Sequence, residues 1–376
     1  MGLKKIAIVI NTSWNVYNFR IGLLKSLQED GYDISVIAPK DEYSSKLEAM
    51  GFLYCPIDIN NKGTNPIEEI KLIKQFYDIY KKIKPDIILQ YTIKPNIYGS
   101  FAAGLLFIPV ISNISGLGTV FLDDSISSKI ARFLYKLALK FPKKVFYQNP
   151  NDRQLFIDLG LVKEDKTDLL PGSGINTQKF KPMDNDFHTN ADKLNFLFIA
   201  RLVKDKGLIE YIEAAKQLRM KYKDKVTFSI LGSFYPGNPT AITEKEMQEW
   251  QSSGDIIYLG VSDDVKSVIA RYDCIVLPSY REGLSRVLLE AASMAKPIVT
   301  TDVPGCKEVV DDGVNGYLCK VRDKDDLAKN LEKMLLLDAC KRLKMGQKGR
   351  EKILREFDES IVIDKYKKAI ETILIT

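Results

Sequence analysis

Histidine and paired cysteines are nearly missing from this chain of 376 residues. Its single histidine, His188, lies in a polar stretch, so the sequence all but excludes a histidine-based zinc site and a histidine-containing catalytic triad. The cysteine count is odd, and no two cysteines are close enough in sequence to form a metal-binding pair. We therefore expect free, mostly buried thiols in a reducing cytosol. The cysteines are Cys55, Cys274, Cys306, Cys319 and Cys340.

Long apolar runs are also lacking, since no run reaches the roughly 20 residues that a membrane-spanning helix needs. The first residues, MGLKKIAIVINTSWN, pass from a short apolar stretch directly into a polar loop without a small-residue cleavage site. We interpret them as a buried first strand and not as a secretory signal, which favours a cytoplasmic protein.

The excess of positive charge is small, because 55 basic and 49 acidic residues leave a net charge of +6. A dedicated nucleic-acid binder is usually more basic, so we expect no nucleic-acid partner. The distribution is more informative, since the segment 125–147 contains basic residues and no acidic one. Its basic residues are Lys129, Arg132, Lys136, Lys140, Lys143 and Lys144.

Apolar strand-like segments alternate with helical patterns in both halves of the chain, which indicates parallel sheets covered by helices. A polar stretch, MDNDFHTNADK, separates the two series. We predict an α/β fold with two Rossmann-like, doubly wound domains, 1–183 and 184–358, that face each other across a cleft. The helical pattern of 359–376 is expected to pack back on the first domain. Ligands of such sheets bind beyond the carboxyl ends of the strands.

Two positive residues follow the strand that opens the second domain. Arg201 and Lys206 lie five residues apart in IARLVKDKG, and they supply the charge that a diphosphate requires. Glu282 and Glu290 lie eight residues apart in SYREGLSRVLLEA, which also follows a strand. Either pair alone is a common chance pattern of a solvated surface, but both pairs at strand exits of one domain favour a functional site.

A helix is expected to begin just after Glu282. Gly283 allows a ligand to approach the backbone closely, and the amides of Leu284 and Ser285 are placed to bind phosphate at the helix start. Glu290 lies farther along the same helix, where its carboxylate can accept hydrogen bonds from two sugar hydroxyls.

These motifs, together with KPIVTTDVPGCKEVVDDGVNGYL (296–318), resemble family 4 of the retaining nucleotide-sugar glycosyltransferases, which have the two-domain GT-B fold. The resemblance covers essentially the whole chain. It implies that Arg201 and Lys206 hold the donor diphosphate and stabilise the leaving group, and that Glu282 contacts the donor sugar. It further implies that Glu290 holds the ribose and that the amides of 283–285 complete the phosphate site.

The first half resembles a subgroup of this family that builds lipid-linked glycans for capsules, O-antigens or N-glycans. The segments YTIKPNIYGSFAA (91–103) and ISGLGTVF (114–121) carry this resemblance, as does the insert 233–250. It is nearest to the α-1,3-N-acetylgalactosaminyltransferases of those pathways. The resemblance implies a UDP-sugar donor, an undecaprenyl-diphosphate-linked acceptor and a peripheral position on the inner membrane face.

Two departures from the family pattern concern the acceptor side. The first loop, NTSWNVYNFR (11–20), lacks the glycine pair of many members, and Ile93 replaces a histidine of some relatives. No histidine base is therefore available, which fits a front-face mechanism in which the leaving phosphate takes the acceptor proton. Among the candidate acceptor contacts, Arg20 can also be read as a helix-surface charge and the two glycines as turn formers. These candidates are Asn18, Arg20, Lys94, Asn96, Gly116 and Gly118.

Aspartate pairs occur at 123–124, 263–264 and 311–312, and a metal site would be ordinary for a sugar-nucleotide enzyme. The second pair is typical of a helix N-cap and the third of a turn. Because Arg201 and Lys206 can neutralise a diphosphate, we expect no metal and no other cofactor.

The segment 125–142 is predicted to form one helix with a basic stripe beside an apolar stripe. Such a helix suits the headgroup layer of an anionic membrane. Alternatively, the apolar stripe packs on the sheet and the cations are merely solvated. The basic stripe contains Lys129, Arg132, Lys136, Lys140 and Lys143, and the apolar stripe contains Ile126, Ile130, Phe133, Leu137 and Phe141.

We therefore expect a retaining enzyme that transfers an N-acetylhexosamine from UDP to a polyprenyl-diphosphate-linked glycan. Three alternatives stay open: a transferase of the same fold with another donor or lipid acceptor, a UDP-sugar epimerase, and a non-catalytic subunit that binds sugar nucleotides.

Overall fold

The structure, a computed structural model, describes residues 3–60, 65–117, 126–183 and 193–375. It divides into two compact units, Met1–Gly174 with Glu359–Thr376 and Ile175–Asp358. The first unit thus ends nine residues before the predicted boundary at 183, because Ile175 and Phe180 belong to the hydrophobic core of the second unit. The central part of the predicted linker lies outside the described residues.

The first unit is built on a parallel sheet of seven strands in the order β3-β2-β1-β4-β5-β6-β7. The strands are β1 (Lys5–Val9), β2 (Asp33–Ala38), β3 (Leu53–Pro56), β4 (Ile87–Tyr91), β5 (Val110–Ile114), β6 (Lys144–Tyr147) and β7 (Thr167–Leu169). The helices are α1 (Ser13–Phe19), α2 (Ile21–Glu29), α3 (Ser44–Ala49), α4 (Pro66–Ile83), α5 (Ser100–Leu105), α6 (Ile126–Ala138), α7 (Pro150–Asp158) and α14 (Glu359–Ile375). A π-helical turn, Pro95–Gly99, precedes α5, and a 3₁₀ turn, Glu164–Lys166, precedes β7.

The central strands of this sheet are apolar on both faces because helices cover both sides. The carboxyl-terminal helix α14 belongs to this unit, and it buries Val362, Tyr366 and Ile370 in the core beside β1, β2 and β4. The Tyr366 ring contacts Phe146 edge-on, with 5.2 Å between the ring centroids. The strand order changes direction between β1 and β4, which marks the place for a ligand in such sheets.

The second unit has a parallel sheet of six strands in the order β10-β9-β8-β11-β12-β13. The strands are β8 (Leu194–Ile199), β9 (Val226–Leu231), β10 (Ile257–Tyr258), β11 (Cys274–Leu277), β12 (Ile298–Thr301) and β13 (Gly316–Cys319). The helices are α8 (Leu208–Tyr222), α9 (Glu244–Ser252), α10 (Val265–Ala270), α11 (Arg286–Ser293), α12 (Lys324–Leu336) and α13 (Ala339–Glu356), with 3₁₀ turns at Lys204–Lys206 and Lys223–Lys225. Here the order changes direction between β8 and β11.

In the part of the chain that the structure describes, no helix is both long enough and apolar enough to cross a membrane. The five cysteines are free thiols, three of them buried.

Candidate functional site

Backbone hydrogen bonds join three loops of the second unit at the carboxyl ends of β8, β11 and β12. The amide of Tyr280 donates to the carbonyl oxygen of Asp205 at 2.9 Å, which ties the loop after β11 to the loop after β8. The amide of Glu282 donates to the carbonyl oxygen of Pro304 at 3.0 Å, which adds the loop after β12. The predicted donor residues Arg201, Lys206 and Glu282 therefore lie on loops that are fixed to one another at the point where the strand order reverses.

The Nζ of Lys206 forms an ion pair with Oε1 of Glu282, and the two side chains are only 17% and 15% exposed. Both charges are needed there, because a single buried charge without its partner is poorly solvated. The pair thus fixes one positive and one negative group side by side. Burial, and then the Glu282 carboxylate, raise the pKa of the neighbouring Cys306 thiol, which stays protonated.

Arg201 lies two residues beyond the end of β8, and its side chain is exposed. Its guanidinium carbon is 4.7 Å from the centroid of the Tyr235 ring, a cation–π contact with the insert 233–250. Among the described residues, no carboxylate forms an ion pair with Arg201. Its charge is therefore available to an anionic ligand.

Glu290 lies on α11, where its side chain is 10% exposed and pairs with the Nε of Arg286 at 3.0 Å. Burial raises the pKa of Glu290, although Arg286 and Lys179 act in the opposite direction. Arg286 was not among the predicted site residues. The spacing of four residues between an arginine and a glutamate on a helix is the signal that could have found it.

The predicted phosphate-binding amides are only partly available. The helix α11 begins at Arg286, and the amide of Ser285 donates to the carbonyl oxygen of Gly305 at 2.8 Å. The structure therefore does not leave Ser285 as a free backbone donor, because this hydrogen bond holds two loops together. The amide of Leu284 has no acceptor among the described residues, and Gly283 lies beside it in the same loop.

Gly207 lets the loop after β8 pass directly against the loop after β11. Its φ is +74°, and a Cβ at this position would lie 2.0 Å from the carbonyl oxygen of Pro278. We expect Gly207→Ala to lower the free energy of unfolding by about 3 kcal/mol, because the two loops must separate. Gly254→Ala is the matched control, since Gly254 has φ +76° but no atom within 4 Å of an added Cβ. Equal losses for the two variants in urea unfolding would contradict the close approach.

Arg20 of the first unit connects α1 to α2 and is only 7% exposed. Its guanidinium carbon is 4.1 Å from the centroid of the Tyr91 ring, and its Nη1 donates to Oδ1 of Asn15. The alternative interpretation of Arg20 as a surface charge is therefore wrong. Asn18 is half-buried on α1, where its Nδ2 donates to the carbonyl oxygen of Trp14 at 3.0 Å.

Lys94 does not present a bare charge at the end of β4. Its Nζ lies 2.5 Å from Oε1 of Glu69 on α4, and the two side chains are 14% and 10% exposed. Burial, and then Glu69, raise the pKa of Tyr98 to about 12. The predicted contact of Lys94 with an acceptor phosphate would have to compete with the Glu69 carboxylate. No local pattern predicts that carboxylate, because Glu69 lies 25 residues before Lys94.

Asn96 is fully buried, so the structure does not place it where it could contact an acceptor. Its Nδ2 donates to the carbonyl oxygen of Asn113 at 2.8 Å, and Nδ2 of Asn113 donates to the hydroxyl of Tyr366 at 2.9 Å. Asn113 and Tyr366 were not predicted, because α14 brings Tyr366 to this place from the far end of the chain. Gly116 has φ +138°, which favours glycine, and Gly118 lies outside the described residues.

The loop 11–20 has no glycine, and Asp41 holds it in place. The Asp41 carboxylate accepts hydrogen bonds from the amides of Ser13 at 3.1 Å, Trp14 at 3.2 Å and Tyr43 at 2.8 Å. Burial raises the pKa of Asp41, but the hydrogen bond from the Ser13 hydroxyl and those from the three amides outweigh burial and hold the pKa below its usual value. Asp41 thereby caps the start of α1, which leads to Asn18 and Arg20.

The helix α6 is shorter than the predicted 125–142, and it ends before Lys140 because Lys140 and Phe141 turn back on the last helical carbonyls. Its buried face includes Tyr135 and Ala138. By contrast, Ile130 and Phe133 are 54% and 60% exposed, so the alternative in which they pack on the sheet is wrong. Basic residues flank them: Lys129, Lys136 and Lys140 are exposed and Arg132 is half-buried.

Within the described ranges, no group of three or more His, Cys, Asp or Glu side chains is arranged to hold a metal ion. Asp264 serves as the N-cap of α10, where its carboxylate accepts from the amide of Ser267 at 3.1 Å. Asp312 accepts a hydrogen bond from the amide of Leu318 at 2.9 Å in a turn. The pair 123–124 lies outside the described residues.

Two family models match the chain. Residues 180–352 match the model described as "Glycosyl transferases group 1", and residues 5–149 match "Glycosyl transferase 4-like". The two matches correspond to the two units of the fold.

Two curated relatives cover most of the chain. The N,N'-diacetylbacillosaminyl-diphospho-undecaprenol alpha-1,3-N-acetylgalactosaminyltransferase of Campylobacter jejuni is 29% identical over 98% of this chain and 99% of its own length. The UDP-Gal:alpha-D-GlcNAc-diphosphoundecaprenol alpha-1,3-galactosyltransferase of Escherichia coli is 25% identical over 80% of this chain and 79% of its own length.

A solved structure has the same fold. The Anabaena protein HepE, in complex with UDP and glucose, superposes with a TM-score of 0.81 at 19% identity, covering 98% of this chain and 99% of that protein. The predicted GT-B architecture of two parallel-sheet α/β units is thereby confirmed.

Proposed function

Because this chain belongs to the group 1 glycosyltransferases, with a glycosyltransferase 4-like amino-terminal domain, we propose that it transfers a sugar from a UDP-sugar to an undecaprenyl-diphosphate-linked glycan with retention of configuration. The observation that carries the proposal is the largely buried Lys206–Glu282 pair together with the exposed Arg201, on loops that hydrogen bonds fix to one another. The names of the Campylobacter jejuni and Escherichia coli relatives support the lipid-linked acceptor.

In the proposed donor site, Arg201 and Lys206 hold the diphosphate and Glu282 contacts the sugar. The amides of Gly283 and Leu284 add donors to the phosphates. As the bond between the sugar C1 and the diphosphate oxygen breaks, negative charge grows on the diphosphate, and the two cations act most strongly at that stage. The acceptor hydroxyl oxygen bonds to C1 from the same face, and its proton passes to the leaving diphosphate oxygen. No protein nucleophile takes part.

An N-acetylhexosamine is the proposed sugar, on the strength of the N-acetylgalactosaminyltransferase from Campylobacter jejuni. The test is to incubate the protein with UDP-sugars, with and without an undecaprenyl-diphosphate-linked sugar. A transferase releases UDP and extends the lipid-linked sugar only when both are present. An epimerase would change UDP-N-acetylhexosamine without the lipid, and a non-catalytic subunit would bind the nucleotide without turnover.

We expect Glu290→Gln to weaken UDP binding about 10- to 100-fold, because glutamine has one acceptor oxygen and no charge, so one ribose hydroxyl loses its acceptor and the other loses a charged one. Calorimetric titration with UDP measures the effect. The exposed Glu249→Gln on α9 is the matched control and should bind like the wild type. Unchanged UDP affinity in folded Glu290→Gln protein would remove Glu290 from the site.

The pH dependence of UDP binding follows from the same residue. Burial raises the pKa of Glu290, so its carboxylate is neutralised earlier on acidification than an ordinary glutamate. Affinity should therefore fall as the pH drops through this raised pKa. The Gln variant should lose that step.

We propose that the reaction needs no metal ion, since Arg201 and Lys206 supply the positive charge at the diphosphate. Activity after treatment with EDTA should equal that of the untreated enzyme. A requirement met only by added Mg²⁺ or Mn²⁺ would show that the diphosphate is neutralised by other means.

We propose that the protein acts as a peripheral enzyme on the inner face of the membrane, with α6 in contact with anionic lipid. The support is that Ile130 and Phe133 are exposed beside Lys129, Lys136 and Lys140, an arrangement that suits the headgroup layer. The acceptor proposed above resides in that membrane.

A further inference from the structure

A second apolar element lies next to α6, at the turn that follows α5. Leu105, the last residue of α5, and Phe107 of this turn are 66% and 94% exposed. Phe141, which follows α6, packs on α5: its ring centroid is 5.8 Å from that of Phe101, and a Cβ on Gly104 would lie 2.3 Å from it. The turn and the end of α6 are thus neighbours on one surface.

The backbone conformation of this turn is one that phenylalanine rarely adopts. The amide of Phe107 donates to Gly104 at 3.2 Å and that of Ile108 donates to Ala103 at 3.0 Å, and Phe107 has φ +56°. This is the helix ending in which glycine is preferred, because a side chain is strained in the left-handed region.

The same pair of hydrogen bonds closes α2, α3, α7 and α11. The residue with positive φ is glycine in three of these endings, at Gly31, Gly51 and Gly160, and the small Ala295 in the fourth. Phe107 is the only bulky side chain at this position among these five helix endings, and at 94% exposure its ring contributes almost no packing within the protein.

We propose that Phe107 and Leu105 insert into the acyl layer of an anionic bilayer, beside the basic and apolar surface of α6. The chain favours lipid over a protein partner at this place, because the described residues of 95–117 carry no charged side chain and those of 126–147 carry only basic ones. Exposed phenylalanine rings next to lysines and arginines suit a membrane surface, because the acyl layer is apolar and the headgroup layer is anionic. This proposal rests on the membrane location given under the proposed function.

The decisive variant is Phe107→Gly, which relaxes the backbone while it removes the ring. Its Tm should equal or exceed that of the wild type. Its partitioning to vesicles of phosphatidylglycerol and phosphatidylcholine should fall on the order of tenfold, the scale expected for withdrawing one phenyl ring from an apolar phase. The control is Ile70→Ser on α4, because Ile70 is 67% exposed on the same unit. This substitution should leave vesicle binding unchanged.

A fluorescence measurement locates the side chain directly. Phe107→Trp should show blue-shifted emission on adding vesicles and quenching by brominated acyl chains, whereas Ile70→Trp should show neither. Activity on a short-chain, water-soluble prenyl-diphosphate acceptor should stay unchanged in Phe107→Gly.

The outcomes separate this proposal from the proposed function. If Phe107→Gly binds vesicles like the wild type while charge reversal on α6 abolishes binding, the proposed insertion of Phe107 and Leu105 is wrong and the membrane location stands. If wild-type protein does not bind vesicles at all, both are wrong. If Phe107→Gly instead converts a wild-type dimer to a monomer, the turn is an interface between two copies and the lipid proposal is overturned.

Discussion

Replacing Lys206 by alanine is expected to lower kcat about 100- to 1,000-fold, the range seen when one preorganised donor to a developing negative charge is removed. The KM for the UDP-sugar should change far less, because the charge on the diphosphate grows as the glycosidic bond breaks. The variant also leaves Glu282 without its partner in a largely buried place, which adds to the loss.

Lys204→Ala is the matched control for this experiment. Lys204 lies in the same 3₁₀ turn, but it is exposed. It should keep nearly full kcat, and circular dichroism should establish that both variants fold. If Lys206→Ala raised KM and left kcat unchanged, Lys206 would bind donor and transition state equally, and its assignment to the leaving group would be wrong.

Charge reversal on α6 is the other change with a large expected effect. Changing Lys129, Arg132, Lys136 and Lys140 together to Glu should weaken binding to anionic vesicles about 1,000-fold or more. Each Lys or Arg near an anionic surface contributes about 1 kcal/mol, and the introduced carboxylates are repelled. Vesicle flotation measures the binding. The difference between wild type and variant should be smaller in high salt, because salt screens the electrostatic attraction.

The control for this variant reverses four basic residues on the exposed face of α13 in the second unit. Vesicle binding should then be nearly unchanged, although the change in net charge is the same. A version without the half-buried Arg132 guards against loss of folding. If the charge-reversed protein still bound vesicles and its Tm were unaltered, α6 would not be the membrane-binding helix and its role would be structural. The control substitutions are Lys341→Glu, Lys344→Glu, Lys348→Glu and Arg355→Glu.

Patterns local in sequence predicted the second unit well. Alternating apolar strands gave its sheet, and the strand exits located Arg201, Lys206, Glu282 and Glu290, because the carboxyl ends of parallel strands meet at one edge. The Lys206–Glu282 pair could not be foreseen, since these residues are 76 positions apart. The use of the Ser285 amide within the protein depends on Gly305, whose position no local pattern reveals.

The first unit was harder to predict, because its polar side chains are organised by long-range contacts. Lys94 is paired with Glu69, Asn96 is turned into the core, and Tyr366 arrives from the end of the chain. On α6 the pattern predicted a basic and an apolar stripe, and the buried face, with Tyr135 and Ala138, belongs to neither of them.

The measurement that tests the account most directly is the anomeric configuration of the product. UDP-N-acetylgalactosamine, in which the sugar is α-linked, would be incubated with the enzyme and an undecaprenyl-diphosphate-linked sugar, and the new linkage analysed by NMR. A retaining transfer yields an α linkage and one UDP released for each sugar transferred. A β linkage would contradict it, because inversion requires a protein base at the acceptor hydroxyl and displacement from the opposite face of the sugar.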